Sequence, residues 1–586
     1  MYRQNFNPTG HLWLSALLAA LPLVALLFLL GGLRWKAHWA SLTALAVAFL
    51  VAILPGSLGF HMPIGLALDS GLFGAVRGVL LVLWITFNAI WIYNMTVDTG
   101  HFAVLRRAFA RISDDQRVQA IVIAFCFGAL IEALAGGGSP IAIASVMLIA
   151  IGFSPLKAVA ISLVANTAPV AFGGLGNPIT VLSPNNIADA ERYGAFTGRQ
   201  TAVLAFIVPF ILLYIADGRR GLRQAWPAAL TAGVTFSVSQ WVFSSISYKL
   251  CDIFAALISA VAVLILTRVW KPREELQFDT GRPEPVPVAG GAVDDPAYVR
   301  KQGRPEGDSA GDVVKAFAPY AIIVLIFSIA QLSLKGANVK GLLNPAAPKV
   351  PHWTNVSWLG TKYEWLNWTT VRFQWPGLHF LPPKGSAESG GTIFTLNWLG
   401  ATGTLLFLSG LLTMAVLGVG VGRAARIYGR TLRQFNWAIL TILTVFALAF
   451  VMQFSGQTNT LGEYLATAGG FFAFLSPIVG WFGVAITGTD AGSNALFGPV
   501  QASAAASLKT PVYLKFLFGA ANSSGGVLAK MISPQNLAIG TAAIDEVGQE
   551  GNLFRKVIGW SVGLLVLLCL LVYLQSTPVL GWMVPK

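Results

Sequence analysis

The stretch Gly128-Ala-Leu-Ile-Glu132-Ala-Leu-Ala-Gly136-Gly-Gly-Ser-Pro140 decides how this chain is read. It closes an apolar run, sets a carboxyl inside that run, and stops in three glycines followed by Ser-Pro. Proline is tolerated in the first turn of a helix but not in its interior, so Pro140 predicts a new helix directly after a break. If the run crosses a membrane, Glu132 is a functional candidate by default, because a charge near the bilayer centre costs about 2.5 to 3.5 kcal/mol even on lenient scales.

The sequence on both sides meets that condition. Apolar runs near the length of about 20 residues needed to cross a bilayer recur from end to end. Of 586 residues, 55% are hydrophobic and 11% charged, against roughly 25% charged in a soluble domain. The mean hydropathy is +0.67. A soluble fold is excluded. The run Leu12 to Leu30 reads as a first span rather than a secretory signal, since its start is weakly basic and many comparable segments follow.

The net charge of +14 does not point to nucleic acid, because Lys and Arg are spread over short loops and form no tract. Positive-inside topology accounts for them, with the lipid bilayer as partner. Arg106, Arg107, Arg111 and Arg117 crowd one loop, Arg219, Arg220 and Arg223 a second, and Arg423, Arg426, Arg430 and Arg433 a third. These are expected to face the cytoplasm. Leu58 to Gly71 and Ser455 to Ala468 carry no Lys or Arg and are expected to face outward.

Cys126, Cys251 and Cys569 lie in or beside apolar segments without the spacing of a disulfide or zinc site, and the six histidines lie in loops or at span ends. No metal or organic cofactor is expected. Chemistry is left to carboxylates, amides and hydroxyls.

The expected fold is an all-α polytopic membrane protein, with about 12 to 14 transmembrane helices in two inverted repeats and re-entrant or broken helices at the centre. Residues 1–270 form the first half, with a repeat core near 118–180. Residues 271–314, rich in Pro, Gly and charge, read as a disordered cytoplasmic linker. A helix follows at 315–334. Residues 335–395, with many Trp and Pro, read as an ordered outer cap, and 396–586 as the second half, with a repeat core near 474–536.

The repeat is read from position rather than raw identity. An offset of 356 residues pairs Gly136 with Gly492, Pro155 with Pro511, Asn166 with Asn522, Thr167 with Ser523 and Pro178 with Pro534, without a gap. The first copy is entered from the Arg-rich loop and the second from the uncharged one, so the copies are expected to run oppositely. Inverted repeats with interrupted hydrophobic segments are the best sequence pointer to a secondary transporter and its binding site. Broken helices expose backbone N–H groups that attract an anion and carbonyls that attract a cation.

Candidates for holding a ligand are Gly137, Gly138 and Ser139 in the first break, Ser493 and Asn494 in its counterpart, and Asn166, Thr167, Asn522, Ser523 and Ser524. Glycine and serine also serve simple close packing, and the duplicated Asn and Pro favour a site. Glu132 and Asp490 are the proton-coupling candidates, although Asp490 could instead cap the helix that follows it. Lys530 could pair with a substrate carboxylate, pair with a protein carboxylate, or snorkel to the surface. Arg77 is expected near the interface, and Asn88 in an interhelical hydrogen bond.

These motifs resemble the bacterial lactate permeases. Gly128 to Glu132 with Ser139-Pro140 looks like one family signature and Ala165 to Phe172 like a second, while Gly488 to Gly498, and Ala521 to Gly526 through Lys530 to Gln535, are similar to later ones. The resemblance implies proton symport of lactate, often with glycolate, in a multi-pass protein of the bacterial inner membrane. It also implies kinship with an ion transporter superfamily that moves organic anions by an elevator-like motion. A homodimer is compatible with it.

One departure stands out. Gly136-Gly-Gly-Ser-Pro140 replaces the Gly-Phe-Gly-Thr-Pro expected from the resemblance, which removes an aromatic ring and leaves room for a larger 2-hydroxy acid. The resulting expectation is a small 2-hydroxycarboxylate bound between the two breaks, with a proton as coupling ion. The rivals are a sodium-coupled dicarboxylate carrier, a membrane enzyme and a channel. A sodium-driven uptake, a nucleophile with a base, or flux without accumulation would favour them respectively.

Overall fold

The computed structural model describes residues 2–585 except 30–32, 34, 111–112, 137, 184–186, 277–308, 331–332, 335–336, 346–351, 353, 357–360, 382–391, 435, 509–510, 545 and 547–548. Helix dominates, because a chain this apolar must satisfy its backbone within each segment once water is gone. Among the described residues six helices are long and apolar enough to cross a bilayer, Gln116–Leu134, Asp189–Ile246, Cys251–Val269, Ala310–Ala330, Asn436–Ser455 and Glu550–Gln575. Two bent pairs raise this to eight, Pro155–Ala165 with Val170–Leu182 at 65° and Gln457–Ala466 with Gly469–Ala485 at 112°. Four further apolar helices are shorter. The expected 12 to 14 crossings include such short and broken segments as well.

Ten helices build the centre. In the first half they are α1 (Gly128–Ala135), which continues an unbroken helical run from Gln116, α2 (Ser139–Ala150), α3 (Pro155–Ala165), α4 (Gly173–Leu182), α5 (Ile187–Ile246) and α6 (Cys251–Val269). In the second half they are α7 (Phe472–Thr487), α8 (Asp490–Ser507), α9 (Tyr513–Ala529) and α10 (Pro534–Ala543). Helix α5 is two helices joined at Asp217 and Gly218, where the backbone leaves helical values.

The expected breaks occur where glycine and proline dictate. Between α1 and α2, Gly136 and Gly138 take φ of 58° and 88°, values that cost a side-chain-bearing residue strain, and Pro140 sits in the first turn of α2. Pro155 and Pro534 likewise open α3 and α10. The two halves differ after the paired asparagines. Helix α3 ends at Ala165 with Asn166 as its C-cap, whereas α9 runs without interruption through Asn522 to Ala529.

The residue three places on explains the difference. Pro169 biases the residue before it away from helical values and cannot donate to the helix. Its counterpart Gly525 can stay helical, and it lies directly against the Pro477 carbonyl of α7. Gly480 of α7 in turn lies against the Asn522 carbonyl, so the two helices cross at backbone contact. In the second half the helix is interrupted later, at Lys530–Ile532.

Ends of the first half of α5 give direction to the bundle. Lys157, at the start of α3, donates 3.1 Å to the Ala216 carbonyl, while Lys515, at the start of α9, pairs with Asp189 at 3.2 Å. Residues 189 and 216 are separated by roughly 40 Å of helix at about 1.5 Å per residue. Helices α3 and α9 thus start from opposite ends of that span.

The basic loops gather on one face. Arg117 pairs with Asp217, Lys271 with Asp114, and Arg423 with Asp98 at 2.6 Å. Arg117 is fully buried, paired with Asp115 at 2.7 Å, and hydrogen-bonded to the Glu274 carbonyl. The Leu276 N–H also bonds Asp115, which docks the start of the linker; residues 277–308 of that linker lie outside the described residues.

On the other face the Tyr2 hydroxyl bridges the Phe60 and Ser455 carbonyls, one from each of the two loops without Lys or Arg. The second of these loops is largely helical, Gln457–Ala466, and the first turns helical at Ile64. The cap contains an antiparallel sheet of β1 (Thr354–Val356), β2 (Thr361–Asn367), β3 (Thr370–Gln374) and β4 (Ile393–Asn397) in that order. Trp375, just after β3, donates 2.9 Å to Asp69.

Arg77 lies where its helix meets the cap. It is 4% exposed, stacks over Phe73, Phe394 and Phe450, and donates to the Ile393 carbonyl at the start of β4. Helix therefore extends further toward the cap than hydropathy indicates, because three aromatic faces accept the guanidinium. Asn88 behaves as expected, donating 3.0 Å to the Gly403 carbonyl of a neighbouring helix.

Candidate functional site

Each break packs on the far helix of the opposite half. Gly138 lies against Ile539 and Asn536 of α10, and Asn494 of α8 donates 3.0 Å to the Pro178 carbonyl of α4. Asn166 follows the eleven residues of α3, and Asn522 is the tenth residue of α9. At about 1.5 Å per residue both lie roughly 14 to 16 Å in, counted from opposite ends. That depth is near half of the roughly 30 Å hydrocarbon core of a bilayer.

Charge converges between the breaks. Lys530 Nζ contacts Glu132 Oε1 at 2.7 Å, and both side chains are almost wholly buried. Of the alternatives for Lys530, the structure shows the pairing with a protein carboxylate and a buried, not snorkelling, ammonium. Two glycines make room for the pair, since a Cβ on Gly173 would collide with Glu132 and one on Gly136 would approach it. Just beyond, Gly174, Leu175 and Gly176 have φ of 53°, 58° and 70°. A left-handed leucine stores roughly 1 to 3 kcal/mol of strain, the kind of outlier that concentrates at functional sites.

Asp490 does not cap its helix. Thr489 is the N-cap, its hydroxyl accepting 3.1 Å from the Gly492 N–H, and Asp490 turns inward to accept from the Ser523 hydroxyl of α9. It is 3% exposed. The one cation and two carboxyls therefore lie in a space closed to bulk water, where every charge is expensive unless matched.

The polar side chains sort into two kinds. Asn522 donates 2.8 Å to Asn494 Oδ1 and accepts from Gln501, and Ser493 donates to the Gly480 carbonyl. Thr167 bonds back to the Val164 carbonyl. These fasten the scaffold. By contrast both polar atoms of Asn166, Glu132 Oε2, Asp490 Oδ1 and the Ser524 hydroxyl are buried without a hydrogen-bond partner among the described residues. Such orphans cost about 1 to 3 kcal/mol each and call for an explanation, of which a ligand is one. Asn166 and Asn522 are not bonded to each other. Gly137, and the side chain of Ser139, lie outside the described residues.

A family model for L-lactate permease matches residues 15–579. The chain belongs to the L-lactate permease family. It is 36% identical over 595 residues to the glycolate permease GlcA of Escherichia coli (strain K12), covering 100% of this chain and 99% of that one. It is 35% identical over 590 residues to the L-lactate permease of Bacillus subtilis (strain 168), and 34% over 588 residues to that of Escherichia coli (strain K12), each covering 100% of both chains. A solved transporter from Alcanivorax borkumensis, YdaH, overlays with a TM-score of 0.34 at 15% identity over 99% of this chain and 100% of that one, too weak to fix a shared architecture. This member of the permease family is accordingly a multi-pass membrane protein.

Sequence reasoning about this permease missed four buried polar residues at or beside the site. Gln501 and Asn536 look like ordinary surface amides in one sequence, yet they hold Asn522 and the Gly488 carbonyl. Asp252 and Gln240 form a further buried pair at 3.0 Å. An acid in the first turn of a helix reads as a partner for its N-terminus, which hid Asp252. Its place at the head of an apolar span was the available signal.

Proposed function

We propose that this protein imports lactate, and glycolate or related 2-hydroxymonocarboxylates, together with a proton across the bacterial inner membrane. The observation that carries this reading is the buried Lys530–Glu132 contact at 2.7 Å, with Glu132 Oε2 left open among the described residues. A substrate carboxylate reaching Lys530 competes with Glu132 for the same ammonium. Glu132, deprived of its cation in a closed space, is stable only as the neutral acid and takes up a proton. One anion and one proton then occupy the site together, and their movement is electroneutral.

The open amide of Asn166 and hydroxyl of Ser524 supply a donor and acceptor set suited to a carboxylate and its adjacent hydroxyl. Asp490, held by Ser523, is a second proton-holding candidate. The opposite starting ends of α3 and α9, and the crosswise packing of α8 on α4 and of the first break on α10, support two inverted copies that meet at this site. The names of the relatives support the substrate class.

The test uses purified protein in liposomes with an imposed inward pH gradient, labelled lactate and glycolate, and sodium present or absent. Wild type concentrates both in either condition. Glu132→Gln loses accumulation but keeps lactate–lactate exchange, because the substrate still finds Lys530. Accumulation by Glu132→Gln equal to wild type removes Glu132 from coupling, and accumulation that follows sodium at fixed pH turns the assignment to a sodium-coupled carrier.

A further inference from the structure

Asp252 takes no part in the exchange described above, yet it is a carboxyl only 1% exposed in the first turn of α6. Its Oδ1 accepts 3.0 Å from Gln240 Nε2, and the same nitrogen donates 3.1 Å to the carbonyl of Ala168. Ala168 belongs to the break between Asn166 and Pro169, two residues after the asparagine whose amide stands open. Gln240 has no exposure.

The chemistry of these three groups fixes their orientation. A backbone carbonyl only accepts, so Gln240 must turn its NH2 edge toward Ala168, and its second hydrogen then falls to Asp252. Without Asp252 the amide keeps one of its two anchors and can rotate about its last side-chain bond. Pro169 has no N–H, and the N–H groups of Asn166, Thr167 and Ala168 and the Thr167 hydroxyl all bond back into α3, so the Gln240 amide is a bond that reaches this break from another helix. The strut from α6 through α5 thus sets the peptide planes that aim Asn166.

We propose that Asp252 is a positioning residue for substrate binding, acting through Gln240 and the Ala168 carbonyl to fix the break after α3 so that the Asn166 amide meets the substrate. The inference rests on the transport reading above, with the carboxylate-bearing 2-hydroxy acid as ligand. Asp252 also lies within electrostatic reach of Glu132, so a role in holding the coupled proton is a distinct alternative with its own signature.

The experiment measures L-lactate binding to full-length protein in lipid nanodiscs by calorimetry, and uptake into liposomes as a function of external pH. Asp252→Asn keeps an acceptor for Gln240, Asp252→Ala removes it, and Gln240→Met keeps the side-chain length while removing both donors. Loss of one hydrogen bond to a charged or buried partner predicts a roughly tenfold rise in Kd and KM for Asp252→Ala and Gln240→Met. Maximal uptake and the pH profile stay unchanged, and Asp252→Asn stays within about twofold of wild type.

Wild-type affinity in both Asp252→Ala and Gln240→Met overturns the inference. So does an Asp252→Asn protein with a shifted pH profile, which would make the carboxyl a proton holder. Should Asp252→Ala fail to insert, Gln240→Met gives the same readout. A wild type that binds neither lactate nor glycolate overturns the transport reading itself, a result separate from any difference between variants.

Discussion

Neutralising either side of the Lys530–Glu132 contact should destabilise the protein, and neutralising both should restore it. At 2.7 Å and an effective dielectric constant of about 20, the attraction between unit charges is about 6 kcal/mol. Desolvation of two buried ions costs several kcal/mol each, so the pair as a whole contributes little net stability. Removing one partner is different, because it strands the other charge, at a cost of about 3 to 5 kcal/mol. Glu132→Gln and Lys530→Met preserve shape while each deletes one charge.

The assay is thermal unfolding of the four proteins of the cycle, wild type, each single variant and the double variant, in one detergent at one pH. Each single variant should unfold well below wild type, and the double variant should recover most of the difference. The interaction energy of such a cycle is clearly non-additive for groups in contact. Additive losses, or single variants as stable as wild type, would refute the claim that the two charges are matched to each other in a closed space.

Two further outcomes follow from the geometry. Gly525→Ala places a methyl group on the Pro477 carbonyl, so α7 and α9 must separate; the expected result is a sharp loss of folded protein by size-exclusion chromatography, while Gly559→Ala, a control whose added methyl group meets open space, is expected to stay near wild type. Gly137→Phe restores the ring that the family resemblance leads one to expect, and uptake of hydroxy acids larger than lactate should fall relative to glycolate, as competition assays in liposomes would report.

Much of the site is legible in the residues alone. Glu132 declares itself because an acid inside an apolar run is costly whatever surrounds it. Gly136 and Pro140 declare the break because only their backbones favour it. Asp490 is ambiguous in the sequence, since one residue decides between a cap and a buried acid, and Thr489 takes the cap. Hydropathy and loop charge do not show what surrounds Arg77 and Arg117. Three aromatic rings cover the first and two aspartates neutralise the second.

What the order of residues determined by itself was the class of solvent around the helices, the points where they break, and the carboxyls, amides and hydroxyls available at those points. These depend on side-chain transfer energies and on backbone limits of glycine and proline, which are local properties. Only the tertiary structure decided that Lys530 faces Glu132 across 398 positions of chain, that α9 runs on through Asn522 where α3 stops at Asn166, and that Gln240 ties Asp252 to Ala168. Those are choices between partners of equal chemistry, and in a bilayer interior, where an unmatched polar group has no water to fall back on, packing geometry alone makes them.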